Sequence, residues 1–435
     1  MTATVQQDGL RRVLGTRDLV VYYLSSLVGA GMLIAPGIAM QAAGPASLVA
    51  WVLLTLAALP IAGVFARLSA AYPDSAGVSY LVRRAFGWRP GITIGFLLLV
   101  LNWTTNPILG LAAARYLAAL MGWQDYSAML LAAFAVMSIG VVLNLLGIGV
   151  ASRVQGALVV VLIAGVVAVM AVASPAADVD RLTPFAPYGW GAIGAAVLAG
   201  FFAFFGWENV SHIADEVRDP KRSYPRAAVW APLVIGGLYL TLALTLVLVV
   251  PLTAATDKTA VLYAVLWHSH GETAAKVGSA LAVVLLIVTT NAWVCGCSRL
   301  TYAMARDRVI PAWIGRVSPR TGAPVAALWF VWGWYVLDFA VLAAFGEDEQ
   351  ILVGFVAASI LLVYAAAFLA AFRLFSDLPT RMLCVVALVA VSAFLLGGGM
   401  STVLATAGLA ITAGYVLLRR PAEPQADPAP GEEST

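Results

Sequence analysis

Residues 29–36 read GAGMLIAP, and residues 200–208 read GFFAFFGWE. Each stretch places glycine inside an apolar run long enough to cross a bilayer, which takes about 20 residues of helix. In hydrocarbon an unpaired backbone group is costly, so an interrupted helix persists only where it faces protein or a water-filled cavity. The two stretches therefore predict an all-α integral membrane fold built around two broken helices.

Composition agrees with this prediction and excludes most soluble folds. Of the 435 residues, 62% are hydrophobic and 11% are charged, and the mean hydropathy is +0.93. A soluble fold of this size cannot bury so much apolar surface. The net charge of +3 is small and scattered, so we expect no nucleic-acid partner. The sparse cysteines predict neither disulfides nor a metal site.

About twelve apolar runs of transmembrane length follow one another along the chain. The interruptions fall in the first and sixth runs, at matching positions of two five-helix halves, a pattern that points to the substrate site of a transporter. A short amphipathic helix is predicted between the second and third runs, around Tyr72 to Trp88. The predicted runs are 18–43, 46–70, 90–118, 127–147, 151–173, 190–216, 227–250, 273–304, 323–345, 350–373, 381–397 and 400–418.

Positive charge is distributed unequally between the two sides of these runs. All but four of the 25 Lys and Arg residues fall on the side of the N-terminus, so by the positive-inside rule both termini are cytoplasmic. The four on the other side are Arg115, Arg181, Lys258 and Lys276. We expect a cytoplasmic N-terminus (1–17), two five-helix repeats (18–173 and 190–373), helices 11 and 12 (381–418), and a disordered cytoplasmic tail (419–435).

The interrupted backbone is itself the predicted binding element. Unwinding at Gly29, Ala30 and Gly31 would free N–H groups at the start of a half-helix, where orphan donors and the helix dipole attract a carboxylate. Carbonyls freed near Phe204 to Gly206 would suit an ammonium group. Together they predict a clamp for a zwitterion that needs no intramembrane charged pair.

Glu208 and Asp338 are the two carboxylates that the sequence places clearly inside the membrane. Glu208 directly follows the second interruption, and an ionisable group at that depth is expensive unless it has a function or a partner. We therefore predict that Glu208 exchanges a proton, which His212, one helical turn later, could share or relay. For Asp338, near the outer end of the ninth run, we favour a structural role.

Polar side chains in two other runs are candidates for an ion site or a cavity wall. Thr289, Thr290 and Asn291 in the eighth run carry oxygen atoms that could coordinate Na⁺. Threonine hydroxyls also bond to carbonyls of their own helix, which is the simpler interpretation. In the third run, Asn102 and Asn106 could line a cavity.

Four segments of the chain together resemble the amino acid–polyamine–organocation (APC) superfamily, and the chain length suits its bacterial amino-acid efflux branch. Residues 29–36 resemble the first-helix motif of that superfamily, with Ala30 where Ser or Thr is frequent. The other three are residues 72–87, 202–227 and 298–324. The last two runs match only in hydropathy. Proton-coupled relatives often place a Lys in helix five, and this chain has none between Val154 and Val172.

This resemblance implies a fold and a site. The fold is a leucine-transporter-like core of two inverted five-helix repeats with two extra C-terminal helices. The substrate lies between helices one, three, six, eight and ten. By similarity, Phe202 gates the ligand, Glu208 senses pH beside it, and Trp293 forms a wall of the pocket. The full set of predicted substrate-binding residues is Ser26, Gly29, Ala30, Gly31, Phe202, Phe205, Gly206 and Trp293.

The sequence thus predicts a secondary transporter that exports or exchanges neutral or apolar amino acids across the cytoplasmic membrane. We expect an amino-acid substrate and the lipid bilayer as partners, a monomer or homodimer, and no cofactor beyond a coupling proton or sodium ion. A polyamine or organic-amine permease is the alternative, although a polycation would want several intramembrane carboxylates. A channel would repeat polar rings over many helices, and a membrane-embedded enzyme would need a nucleophile or metal cluster that the spacing does not supply.

Overall fold

A computed structural model of the chain describes residues 10–252, 261–345, 349–397 and 399–418. Within these ranges the regular structure is helical, apart from one bridge between Leu14 and Val217, which confirms the all-α prediction. The predicted tail at 419–435 lies outside the described residues, as do the side chains of Ala30 and Phe202. The helices are α1 Thr16–Leu27, α2 Ala30–Ala43, α3 Ser47–Ala71, α4 Val78–Phe86, α5 Trp88–Met121, α6 Tyr126–Leu145, α7 Ile148–Ala173, α8 Ala192–Phe201, α9 Pro220–Val249, α10 Val261–His270, α11 Glu272–Arg306, α12 Val325–Phe345, α13 Glu349–Leu374, α14 Leu378–Gly397 and α15 Gly399–Leu418.

Seven helical stretches in the described part of the chain are long and apolar enough to cross a membrane. The first of them contains both α2 and α3, which a 3-10 turn at Gly44–Ala46 connects. The stretches are Gly31–Ala71, Trp88–Met121, Tyr126–Leu145, Ala151–Ala176, Pro220–Val249, Glu272–Arg306 and Val325–Ala344. Shorter apolar helices cover Ala192–Phe201, Ala358–Leu374, Leu378–Ala393 and Val403–Leu418.

Local sequence signals account for several helix ends. The Asp125 carboxylate accepts hydrogen bonds from the Ser127 and Ala128 N–H groups and so caps α6, and Asp219 caps α9 in the same way, directly before Pro220. The left-handed Gly122 ends α5. The predicted short helix after the second run is α4, whereas α10 forms where hydropathy predicted a loop.

Both predicted interruptions are present, but they differ in form. Helix α1 ends at Leu27 and α2 begins at Ala30, with Val28 and Gly29 outside helical geometry. Helix α8 ends at Phe201 and continues as a 3-10 turn over Phe202–Phe204. After the unwound residues 205–208, the chain forms a 3-10 helix at Asn209–Glu216. The second half of the sixth run is therefore a 3-10 helix and not the α-helical half predicted from the sequence.

The two interruptions lie in the interior of the helix assembly. Helix α1 packs against α9 and α11, and helix α2 packs against α8 and α9. The 3-10 helix at Asn209–Glu216 packs against α3 and α11. Helix α11 also contacts α5, α6, α7, α10 and α12. The broken segments are thus enclosed on several sides by continuous helices, as unpaired backbone in a membrane protein requires.

A fully buried ion pair fixes the end of the second broken segment. Arg299 on α11 and Glu216 are both completely inaccessible to solvent, and Arg299 Nε lies 3.0 Å from the Glu216 carboxylate. Arg299 also donates to Asn144 Oδ1 at 3.0 Å. The Glu216 carbonyl accepts hydrogen bonds from the N–H groups of Val13 and Leu14, so the same residue also binds the segment before α1.

We predict that Arg299→Met lowers the free energy of unfolding by about 3–5 kcal/mol, because it leaves Glu216 buried without its counter-charge. Denaturant unfolding in detergent micelles measures the change. The matched control is Lys276→Met, which breaks the exposed Lys276–Glu272 pair and should cost no more than about 1 kcal/mol. Equal effects of the two substitutions would contradict this account of the buried pair.

Candidate functional site

The two interruptions touch each other, and glycine is what allows the approach. A β-carbon on Gly31 would lie 2.5 Å from the Ala203 Cα, and one on Gly206 would lie 3.1 Å from the Ser26 carbonyl oxygen. Gly206 also has φ of +124°, which side chains other than hydrogen disfavour. The predicted site residues Ser26, Gly31 and Gly206 are therefore neighbours in space, although about 180 residues separate them in sequence.

The carbonyl groups released at the first interruption are satisfied by side chains. Trp293 Nε1 donates to the Ser26 carbonyl at 3.1 Å, and Thr289 Oγ1 lies 3.1 Å from the Val28 carbonyl. The Tyr239 hydroxyl on α9 lies 2.8 Å from the Leu27 carbonyl and 3.0 Å from the Ala203 carbonyl. One tyrosine therefore serves both broken segments.

Several main-chain groups at the interruptions have no such partner within the described chain, and two of them lie next to the contact of Gly31 with Ala203. The Gly29 N–H bonds to the Leu27 carbonyl at 2.9 Å, so it is occupied by the turn itself. The Gly31 N–H, in the first turn of α2, has no partner among the described residues. No hydrogen bond from the described chain reaches the Phe204 carbonyl. One donor and one acceptor are thus free near the contact between the two breaks.

Glu208 and Tyr364 hold the second interruption open. The Tyr364 hydroxyl on α13 lies 3.2 Å from the N–H groups of both Gly206 and Trp207, and it donates to the Glu208 carboxylate. Glu208 also accepts from the Gly206 N–H at 3.2 Å. Glu208 is 2% exposed. Its partners there are hydrogen-bond donors, and no cation among the described residues forms an ion pair with it.

Aromatic side chains surround the interruptions. The Phe205 ring is buried and lies edge-to-face with Tyr364, with centroids 6.2 Å apart. The Trp207 and Tyr23 rings lie 5.3 Å apart on the other side of the unwound segment. The break therefore has aromatic neighbours, and the polar side chains of Ser26, Glu208 and Asn209 are also buried beside it.

His212 lies away from the acid that it was predicted to serve. Its Nδ1 is 3.1 Å from the Ser75 carbonyl, and its Nε2 has no hydrogen-bond partner within the described chain. Ser75 in turn donates to Asp215, and Arg306 pairs with Asp74 and Asp215. A proton relay between His212 and Glu208 stays a prediction, because the histidine faces this polar cluster.

Burial in that cluster raises the pKa of Asp74 to about 6, and the Arg306 guanidinium opposes the shift. Asp74 follows the C-terminal end of α3 and caps the turn before α4 through the Ala76 N–H. The cluster therefore joins the loop after α3, the second broken segment and the end of α11.

The predicted ion or cavity residues fall into two groups. Asn291 is held in an amide network with Asn144 and Gln155 that links α6, α7 and α11, which is typical of helix–helix contacts in membranes. Thr290 Oγ1 and the side-chain carbonyl oxygens of Asn102 and Asn106 are buried without hydrogen-bond partners in the described chain. An ion-binding or cavity-lining role for these residues stays a prediction.

Sequence reasoning missed the residues that complete the backbone hydrogen bonds. Tyr239, Tyr364 and Asn209, which donates to Ser26 Oγ at 2.9 Å, were not among the predicted site residues. The available signal was a tyrosine inside an apolar run, since a buried tyrosine hydroxyl usually finds a partner. The sequence alone does not show which tyrosine points to the breaks.

Comparisons with known proteins show that the chain is similar to amino acid permeases. The sequence profile of the amino acid permease family matches residues 14–413. The "Uncharacterized amino acid permease YecA" of Bacillus subtilis is 28% identical over 81% of this chain and 82% of its own length. The "Branched-chain amino acid permease BcaP" of the same organism is 25% identical over 76% and 75%. The "L-methionine/branched-chain amino acid exporter YjeH" of Escherichia coli is 31% identical over 53% and 55%.

We predict that Gly31→Ala weakens binding of labelled L-leucine about tenfold or more, because the added methyl group meets the Ala203 main chain and moves the free Gly31 N–H. Equilibrium binding to the purified protein measures the loss. The control is Gly37→Ala in the same helix, where the new carbon has 3.8 Å to its nearest neighbour. Unchanged affinity in Gly31→Ala would show that the close approach of the breaks does not form the binding site.

Proposed function

This chain belongs to the amino acid permease family within the APC superfamily, and on that premise we propose that it carries neutral amino acids by alternating access. Membership makes it a multi-span membrane transporter and not an enzyme. The proposal concerns the substrate, the binding element, the coupling ion and the direction of transport.

The observation that carries the proposal is the pair of free main-chain groups where the two breaks meet. A carboxylate would accept a hydrogen bond from the Gly31 N–H at the positive end of α2. An ammonium group would donate to the Phe204 carbonyl. These two groups are common to every α-amino acid, so the site recognises the zwitterion and leaves its side chain to the surrounding residues.

An apolar side chain suits those surroundings best. Phe205 and Trp293 are aromatic, and Glu208 is engaged by Tyr364 and the Gly206 N–H. The names of two relatives, a branched-chain amino acid permease and an L-methionine/branched-chain amino acid exporter, support the same class. A polyamine would place several charges beside aromatic rings with one carboxylate nearby, so we favour leucine-like substrates.

The proposed architecture is the twelve-helix, five-plus-five inverted repeat. Breaks in α1–α2 and at the end of α8 support it, because matching broken helices mark the substrate site in transporters of this kind. The excess of Lys and Arg on one side supports cytoplasmic termini. We propose that the chain works in the cytoplasmic membrane as a monomer or homodimer, as an exporter or exchanger.

We propose Glu208 as the coupling residue for protons. Its carboxylate is buried at the second break and bonds to Tyr364, which also binds the Gly206 and Trp207 N–H groups. Adding or removing a proton at Glu208 changes the hydrogen bonds that hold residues 205–208 unwound. Protonation is therefore expected to bias the position of the broken segment.

The test is uptake and counterflow of labelled amino acids in proteoliposomes at acidic and neutral pH. We expect transport of leucine and methionine, little transport of arginine or putrescine, and pH-dependent rates. Glu208→Gln should transport with a weaker dependence on pH than the wild type, since residue 208 then cannot bind the proton. The control Glu272→Gln changes an exposed carboxylate and should behave like the wild type. Full pH dependence in Glu208→Gln would remove the proton role of Glu208, and selective putrescine transport would favour the amine permease.

A further inference from the structure

A second polar cluster lies at the contact of α5, α11 and α12. Asn106 Nδ2 on α5 donates to the Tyr335 hydroxyl on α12 at 2.8 Å. Helix α11, which carries the buried Cys297, packs against α12, and Asp338 lies one helical turn after Tyr335.

Several polar atoms of this cluster have no hydrogen-bond partner in the described chain. They are Asp338 Oδ2, Asn106 Oδ1, Trp334 Nε1 and Trp103 Nε1, all sealed from solvent. Asn106 is 1% exposed, and the Trp103 and Trp334 rings lie 4.6 Å apart. Native structures pair nearly all buried polar atoms, so a group of unpaired ones at one helix contact indicates an exchangeable occupant.

Asp338 is also a carboxylate without a counter-charge. It forms no ion pair within the described residues, and it lies about 10 Å along the helix from the end of α12 at Phe345. A charged carboxylate inside a bilayer is costly, which favours the neutral acid.

The titratable or charged groups on the elements packed against α12 are few. Helix α11 presents Cys297, and α6 carries Tyr126, whose hydroxyl lies 3.5 Å from the Leu342 carbonyl. Helix α5 carries Arg115 and Tyr116. Arg115 is nine positions after Asn106, which is about 13 Å further along the axis of α5. The turn at Ala312–Gly315 carries no titratable side chain.

The cluster is connected to the broken helices through α11. Cys297 follows Trp293 by four positions, so the two side chains lie on the same face of that helix. Trp293 donates to the Ser26 carbonyl at the first break. A conformational change at Asp338 and Tyr335 can therefore be transmitted along one turn of α11 to Trp293, which forms a wall of the proposed substrate site.

We propose that Asp338 is a second proton-binding site of this transporter, separate from Glu208 and formed with Tyr335 and Asn106. A hydronium ion transfers a proton to the Asp338 carboxylate, which leaves a neutral acid and a water molecule, with no transfer of electrons. The acid then has an O–H to donate, and Asn106 Oδ1 is the buried acceptor that lacks a donor. The sealed oxygen is Oδ2, whereas the Asp338 residue as a whole is partly exposed, so proton exchange at Oδ2 depends on how closely α5 and α12 pack. The link to transport rests on the function proposed above, whereas proton binding does not.

The direct test is infrared difference spectroscopy of the purified protein in lipid on a jump from acidic to alkaline pH. We expect loss of a protonated-carboxyl band in the wild type, in Glu208→Gln and in the exposed control Glu272→Gln. Asp338→Asn should lack this band, and Asp338→Glu should restore one. A spectrum of Asp338→Asn that matches the wild type would overturn the proposal.

Transport gives an independent measurement on the same variants. In proteoliposomes, Asp338→Asn should keep leucine counterflow but lose the acceleration of net transport by a proton gradient, which Asp338→Glu should retain. Gradient-driven transport unchanged in Asp338→Asn would overturn the coupling, because asparagine mimics a carboxyl that never releases its proton. If the wild type shows no amino-acid counterflow, the proposed function fails, while the infrared result still decides whether Asp338 binds a proton.

Discussion

The structure depends on one constraint, which is that main-chain hydrogen-bonding groups in a hydrocarbon environment need partners inside the protein. Interrupting a helix releases such groups, and in this chain four side chains from three surrounding helices bind them. Trp293 and Thr289 on α11, Tyr239 on α9 and Tyr364 on α13 each bind main chain at the breaks. The breaks are therefore rigid, supported features, and the few groups left unpaired stand out.

Those unpaired groups suggest how the fold produces function. A ligand that completes the hydrogen bonds of the Gly31 N–H and the Phe204 carbonyl also links α2 to the end of α8, because it contacts both broken segments at once. Such a ligand can bias the relative position of the two segments by as much as its affinity differs between arrangements. Glu208, which bonds to Tyr364, and the partly buried Asp338 on α12 each carry a carboxylate that suits a proton as the second ligand.

Much of this arrangement could be predicted from the sequence. Glycine inside apolar runs at matching positions of two five-helix halves predicted the breaks at Gly29–Gly31 and before Glu208, because paired broken helices mark the substrate site of a transporter. The 3-10 form of Asn209–Glu216 was missed, since it depends on Tyr364 and the Arg299–Glu216 pair, which are distant in sequence. The partners of His212 and Asn291 were missed for the same reason: contacts between helices are set by packing and rotation that hydropathy does not encode.

The measurement that tests the central claim most directly is an experimental structure of the protein in lipid with bound L-leucine. The account predicts that the leucine carboxylate lies within hydrogen-bond distance of the Gly31 N–H and that its ammonium group lies beside the Phe204 carbonyl. Continuous helices through residues 27–30 and 201–209, or leucine bound away from both segments, would contradict it.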